Sequence, residues 1–293
     1  MTAAATVERA ATPSDRTGRM RKTKRRLFLA FLLVAALVWV VPLVWMFSLS
    51  LTPNEILQRD TTNLLPQDPT LENFSSVFSV GLTPRWFLNS VIVTTITTVF
   101  TLILSAMAGY AFARIRFAGK RILFPLVLAG LMVPKEAMFV PLFLMFAQFD
   151  QHNTYYALAL PRIAAPLGVF IMTQFFAAIP DELEEAATVD GAGRWRTFFS
   201  VMLPMAAPAL TALAIFTFVL TWNDYLWPLV SATQREMFTI TTGLASLQGN
   251  FAQATELGAL MARGVIASLP LLILFVVFQR QLIRGISIGS GGK

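Results

Sequence analysis

Six stretches of this chain stay apolar for about the thickness of a lipid bilayer, and nothing else in the sequence limits the fold as strongly. They cover residues 27–49, 88–112, 122–146, 155–178, 203–226 and 258–280. A helix needs roughly 20 apolar residues to cross the hydrocarbon core. In lipid every backbone N–H and C=O must be bonded within the chain, which suits helices. Composition agrees: the chain is 56% hydrophobic and only 13% charged, against roughly 45–50% and about 25% in soluble domains. The predicted fold class is all-α, a polytopic membrane protein with six transmembrane helices.

An even number of spans puts both termini on one side, and charge says which. Residues 9–26 carry Arg9, Arg16, Arg19, Arg21, Lys22, Lys24, Arg25 and Arg26 just before the first apolar run. With the N-terminus inside, the inner segments are 1–26, 113–121, 179–202 and 281–293, and they hold sixteen of the 23 Lys and Arg. The outer loops hold only Arg59, Arg85 and Arg235. The positive-inside rule therefore predicts cytoplasmic termini. The first run is too long for a signal h-region and no cleavage site follows it, so it reads as a retained span. The same distribution explains the net charge of +7 by membrane orientation, with no nucleic-acid partner. Residues 1–26 are expected to form a basic cytoplasmic tail, disordered through its polar first part. Residues 27–280 form the membrane domain, and 281–293 a second cytoplasmic tail.

Two outer segments exceed turn length. Residues 50–87 include a position, Thr70, suited to cap a short helix, and residues 228–257 are polar and glycine-punctuated. Neither is large enough for a catalytic domain. There is no cysteine, which excludes disulfides, thiolate metal sites and a cysteine nucleophile. The single histidine, His152, makes a histidine metal centre or a serine–histidine triad implausible; with Asp150 it reads as solvated in an outer turn.

The inner segment 179–202 asks for another explanation than a turn. "IPDELEEAATVDGAGRWRTFFSVMLP" reads as two short helices with a break. Pro180 starts the first; Asp181, Glu182, Glu184 and Glu185 lie where the helix dipole favours negative charge. Ala186 and Ala187 keep one face thin, and Gly191 allows a sharp turn after Asp190. Pro204 marks entry into the next span.

The spacing of Glu185, Ala186, Ala187, Gly191, Leu203 and Pro204, with Val201 between, resembles the EAA loop of permease subunits of binding-protein-dependent ABC importers. The stretches "PTLENF", "RWFLNS", "YAFARIRFAGKR", "WNDYLWPL" and "RGISIGSGG" narrow the resemblance to carbohydrate uptake, in particular the smaller permease of maltose-type systems. The resemblance implies a type I importer permease fold. It also implies partners: a second homologous permease, two ATPase subunits receiving the EAA loops, and an extracytoplasmic solute-binding protein delivering a sugar. In that reading Glu184, Glu185, Ala186, Ala187, Asp190, Gly191, Leu203 and Pro204 couple the chain to an ATPase, and the C-terminal tail approaches it. An amphipathic helix lying on the inner leaflet is the blander reading, but acidic residues suit an anionic surface badly. No "GxxxxGK[ST]" motif is present: Lys120 follows Gly119, but Arg121 replaces the hydroxyl residue. The chain is therefore predicted not to be an enzyme; ATP and magnesium belong to the partner ATPase, and no cofactor or metal is assigned here.

Charged groups within the apolar runs mark a candidate path. Lys135 and Glu136 follow Pro134 in the third run, where an ionised group costs about 3 kcal/mol and wants a partner or a wet cavity. Two readings stay open for them: lining of a translocation path, or a structural ion pair with another span. Arg162 in the fourth run and Arg263 in the sixth pose the same question, although Arg263 could snorkel. Trp222, Asn223, Asp224 and Tyr225 combine hydrogen-bonding groups with aromatic faces, as sugars require, whereas Trp227 reads as part of an interfacial belt. A rival from another class is an ion- or proton-coupled secondary transporter using Glu136 and Asp224; it would leave the EAA loop unexplained, and no inverted repeat supports it. A third reading, an accessory scaffold, would make Lys135 and Arg162 merely structural.

Overall fold

The structure, a computed structural model, describes residues 13–79, 81–248 and 256–290. Helix α1 (Pro13–Ser50) carries the first span and runs back through its basic flank. Pro13 occupies a favourable opening position, and the Lys and Arg that follow are good helix formers. Residues 13–26 of the basic flank are part of this helix; residues 1–12 lie outside the described residues. The apolar side chains of α1 remain exposed, and its main neighbour is the last helix of the chain.

Two short helices, α2 (Asn54–Leu57) and α3 (Glu72–Ser79), cap the end that the charge asymmetry leads one to expect outside, the outer end. Thr70 accepts a hydrogen bond from the Glu72 N–H at 3.1 Å, the capping the sequence predicts. Asn73, buried, donates to the carbonyls of Ser50 at 3.1 Å and Thr52 at 2.8 Å and so clips α3 to the end of the first span.

Helix α4 (Thr83–Arg114) is the second span, 32 residues without a break. One of its faces is a buried row of small hydroxyl residues, Ser90, Thr94, Thr97, Thr101 and Ser105. Small residues let membrane helices approach closely, because association in lipid relies on packing rather than on the hydrophobic effect. Backbones come close at Gly109, where an added Cβ would sit 2.9 Å from the Met172 carbonyl carbon.

The third span is α5 (Lys120–Ala129) and α6 (Phe139–Gln148), joined by short 3-10 turns; the fourth is α7 (Tyr155–Ile163) and α8 (Pro166–Ala178). The inner segment forms α9 (Asp181–Val189), α10 (Arg194–Thr197) and a π-turn at Phe198–Met202. After it come α11 (Leu203–Met205) and α12 (Ala207–Trp222), the fifth span, then α13 (Leu226–Ser231), α14 (Ile240–Gln248) and α15 (Leu257–Ser290). Residues 281–290 continue α15, so the expected separate tail is helical there; 291–293 lie outside the described residues.

Among the described residues, three helices are thus long enough to cross a membrane alone, and three spans are bent pairs, with angles of 94° in the third, 43° in the fourth and 73° in the fifth. Each break touches a proline. Val133 before Pro134, and Ala165 before Pro166, take extended backbone because the proline ring excludes the α conformation from its predecessor. In the fifth span, the π-turn and Pro204 precede the bend at Ala206, and Pro208 follows it.

The inner core gathers Tyr110, Met172, Phe176, Phe198, Met202 and Leu213. At the outer end, Trp86 donates to the Arg235 carbonyl at 2.7 Å, and Asn89 to Glu236 and Phe238 at 2.7 and 3.0 Å. The "RWFLNS" stretch therefore folds the outer segment 228–248 onto the second span. His152 is corrected from solvated to half-buried: its Nε2 lies 3.1 Å from the Phe143 carbonyl and its ring packs against Phe143 at 4.5 Å. The short turn folds the imidazole back onto α6, while Asp150 remains exposed.

Candidate coupling loop and translocation site

The acidic first turn of α9 does more than stabilise its helix. Arg114, the last residue of α4, has a side chain only 8% exposed. Its Nε donates to the Phe176 carbonyl at 3.0 Å, and its terminal nitrogens reach the Ile179 carbonyl and the Asp181 carboxylate. Phe176 and Ile179 sit at the C-terminal end of α8, where helical carbonyls lack partners. One guanidinium fork thus bonds the end of the fourth span and the start of α9 together. Glu184 completes the joint: the Tyr110 hydroxyl donates to its Oε1 at 2.7 Å, and its Oε2 lies 3.9 Å from Arg114 Nε.

This geometry separates residues that the sequence groups together. Glu184 turns inward to α4, whereas Glu185 one residue on is exposed. Ala186, Asp190 and Gly191 are exposed too, and Gly191 takes the left-handed conformation, φ 75°, that the sharp turn requires. Ala187 is buried against its own chain, so its small size serves an internal approach rather than an external one. Leu203 packs on the inner core and exposed Pro204 sits in the turn before the bend of the fifth span; neither lies on α9. Sequence reasoning missed Arg114 and Tyr110, although both stand in "YAFARIRFAGKR". It missed as well that Val189, Trp195 and Phe199 are exposed in this segment, with Trp195 stacked on Phe199. Their apolar character in an inner polar segment was the available signal.

The second site lies where the breaks of the third and fourth spans and the linker after the fifth converge. A Cβ on Gly130 would meet Pro166 at 3.0 Å, which puts the break of the third span against that of the fourth. Arg162, at the end of α7, forms an ion pair with Asp224, in the linker between α12 and α13; their side chains are 18% and 13% exposed. Lys135 adds a second positive charge within Coulombic range of Asp224. Lys135, Glu136, Asn223 and Tyr225 are exposed around this pair. Irregular backbone at membrane depth is tolerated where it is buried in protein or lines a wet cavity, and half-helix ends with charged groups are how transporters build binding sites.

Two aromatic assignments are corrected. Trp222 is buried, donates to the Ala267 carbonyl at 3.0 Å and lies between Phe87 and Phe218, so it packs the fifth span on the sixth and faces no cavity. Trp227 is no belt residue: it is buried among Phe139, Phe146 and Ala157 and donates to the Ala157 carbonyl at 2.8 Å. The sequence grouped these rings with Asn223 and Tyr225, but successive residues around a linker face different ways. Arg263 donates to the Thr83 hydroxyl at 3.1 Å, tying the sixth span to the start of the second, away from the convergent breaks.

Six membrane-long segments, two span breaks and a linker meeting at a largely buried ion pair, and a helical loop bonded to the ends of two spans define a membrane transport subunit. The chain belongs to the family of binding-protein-dependent transport system inner membrane components, whose model matches residues 102–288. It is 38% identical over 258 residues to the arabinooligosaccharides transport system permease protein AraQ of Halalkalibacterium halodurans, covering 87% of this chain and 92% of that one. It is 35% identical over 264 residues to the diacetylchitobiose uptake system permease protein NgcG of Streptomyces coelicolor, covering 89% and 87%. To the trehalose/maltose transport system permease protein MalG of Thermococcus litoralis it is 32% identical over 272 residues, covering 91% and 96%. The fold matches a chain in the crystal structure of a bacterial ABC transporter involved in import of the acidic polysaccharide alginate, with TM-score 0.78 at 21% identity, covering 93% of this chain and 99% of that one.

Proposed function

We propose that this protein is one half of the membrane pathway of an ATP-driven importer for a sugar, an oligosaccharide, glycoside or polyol. It sits in a bacterial plasma membrane with both termini cytoplasmic, beside a second homologous permease. An extracytoplasmic binding protein delivers the sugar. Two ATPase subunits, which use ATP and magnesium, receive the loops equivalent to residues 179–202. The observation that carries the reading is α9 itself: a short helix pinned to its own spans by Arg114 and Glu184 while it holds Glu185, Ala186 and Gly191 outward. A compact helix of this kind fits a groove, and Glu185 is free to make a charge-assisted hydrogen bond there. The substrate class is supported by relatives named for arabinooligosaccharides, diacetylchitobiose, trehalose and lactose. The orientation is supported by the Lys and Arg asymmetry.

The sugar's path would run past the converging breaks, where Lys135, Glu136, Asn223 and Tyr225 offer donors, acceptors and a ring face. ATP binding closes the ATPases and opens the pathway outward; hydrolysis resets it, two global states biased by ligand. The test is mass spectrometry of proteins co-purifying with the chain from its native membrane, beside a Gly191→Asp variant. A side chain at Gly191 meets nothing within 4 Å in this chain, and Asp tolerates the left-handed conformation better than most residues, so the fold should survive. An ATPase and a second permease are expected with the native chain, with the ATPase selectively lost from the variant. A native chain that purifies alone and still transports would overturn the reading.

A further inference from the structure

The four spans nearest the inner loop differ in one mechanical respect. The third, fourth and fifth are each broken, at angles of 94°, 43° and 73°, whereas α4 runs 32 residues from the inner surface to the outer without interruption. A bent pair joined through extended or π-turn backbone can absorb a push at its joint, because the hydrogen bonds that stiffen a helix are missing there. An unbroken helix moves as a rod. The structure bonds the loop to that rod. Arg114 stands on its last turn and holds the Asp181 carboxylate; Tyr110, one turn earlier, holds Glu184. At the other end of the same rod, Trp86, Asn89 and Ser90 hold the outer segment through the carbonyls of Arg235, Glu236 and Phe238 and the N–H of Ile240.

From this we propose that the Arg114–Asp181 and Tyr110–Glu184 contacts are a clamp that delivers displacement of the coupling helix to the second span. In this arrangement α4 is the lever that carries the motion to the outer loops. Arg114, Tyr110 and Glu184 are positioning residues: they touch neither ATP nor sugar, and Glu184 differs in role from exposed Glu185. The clamp has the geometry the task needs. Arg114 is bound by two backbone carbonyls as well as by carboxylates, so it cannot swing away with one broken bond, and charge-assisted bonds are the stronger kind. The proposal rests on the importer reading, and its test separates the two.

The absence of cysteine in the sequence makes site-directed labelling direct. Nitroxides on Arg85→Cys, at the outer end of α4, and Leu144→Cys, on α6 of the broken third span, report the distance between the lever and a span it does not hold. The measurement uses the whole complex purified from native membranes, with and without ATP, magnesium and vanadate. The native clamp is expected to give a nucleotide-dependent distance change. Arg114→Gln should reduce that change by more than half, while the ATPase still co-purifies in native amount and its turnover loses dependence on the state of the permease. Glu184→Gln and Tyr110→Phe should reduce it less, and Arg114→Lys should recover part of it, since an ammonium can reach Asp181 but cannot fork over both carbonyls. A full distance change in Arg114→Gln with ATPase bound would overturn the clamp. So would loss of the ATPase from Arg114→Gln and its return in Arg114→Lys without return of the motion, because the residue would then shape the docking surface alone. Failure of the native chain to retain any ATPase would instead sink the importer reading.

Discussion

Among the described residues, ion pairs centre on two arginines, Arg114 and Arg162, one at the end of each half of the fourth span, and the two sites are built differently. At the inner end, Arg114 bonds two carbonyls and two carboxylates and is backed by Tyr110, on an unbroken helix. At the central break, Arg162 meets one carboxylate, Asp224, where the breaks of the third and fourth spans meet the linker after the fifth. The inner joint has several bonds in parallel, so losing one leaves the geometry in place. The central one hangs on a single pair among exposed polar residues, with Lys135 adding only a Coulombic influence on the same carboxylate. A joint that must transmit motion gains from redundancy; a path that must open and close gains from a contact that one event can break.

The largest expected effect breaks that asymmetry at its weak point. Asp224→Asn leaves the Arg162 charge unpaired at membrane depth, and removal of one partner of a buried pair costs about 3–5 kcal/mol. Thermal unfolding in detergent should show the loss, and Asp224→Leu combined with Arg162→Leu should be less damaging than either change alone. If Asp224→Asn keeps native stability, the pair is not the hinge of the central region. Next in size is Gly109→Ala, which forces a methyl into the Met172 backbone at the seam of α4 and α8. Overpacking there should destabilise by about 1–3 kcal/mol. The same unfolding assay checks it, and an unchanged midpoint would mean that the inner end yields more readily than the geometry implies.

Smaller effects sharpen the assignment of the aromatic linker. Trp222→Phe removes the bond to Ala267 and should lower stability by about 1 kcal/mol. Transport by the reconstituted complex should keep its apparent KM for the delivered sugar; a changed KM at native stability would return Trp222 to the path. Asn223→Ala should do the opposite, raising that KM a few-fold with stability held within about 0.5 kcal/mol, since Asn223 is exposed and its amide bonds only the Val219 carbonyl of its own helix.

Much of this was legible in the sequence, and the reasons are local. Hydropathy needs only composition along the chain, so all six spans fall close to the predicted runs. The two short helices of residues 181–197 and the turn between them were legible because Pro180, the acidic first turn, two alanines and Gly191 act within a few residues of one another. Prolines were less informative. Pro134, Pro166 and Pro208 stand at breaks, yet Pro42 and Pro270 lie inside continuous helices. Whether a proline opens a helix depends on what neighbouring elements do with the freed carbonyl, and the sequence does not say which neighbours there are. The "TWNDYLWPL" stretch failed for a related reason: it showed which groups were present but not which way each faced.

The sequence by itself determined an all-α chain of six spans, the side of the membrane expected for each loop, and the broken helical segment 180–202 between two spans, because hydropathy, charge asymmetry and helix capping act over short distances. Only the tertiary structure decided that Arg162 holds Asp224, that Arg114 reaches across 67 residues to Asp181, and that Glu184 turns inward while Glu185 faces out. Those outcomes depend on which helix backbones pack together, and in lipid that is settled by small residues such as Gly109 and Ser105 fitting against one particular partner surface.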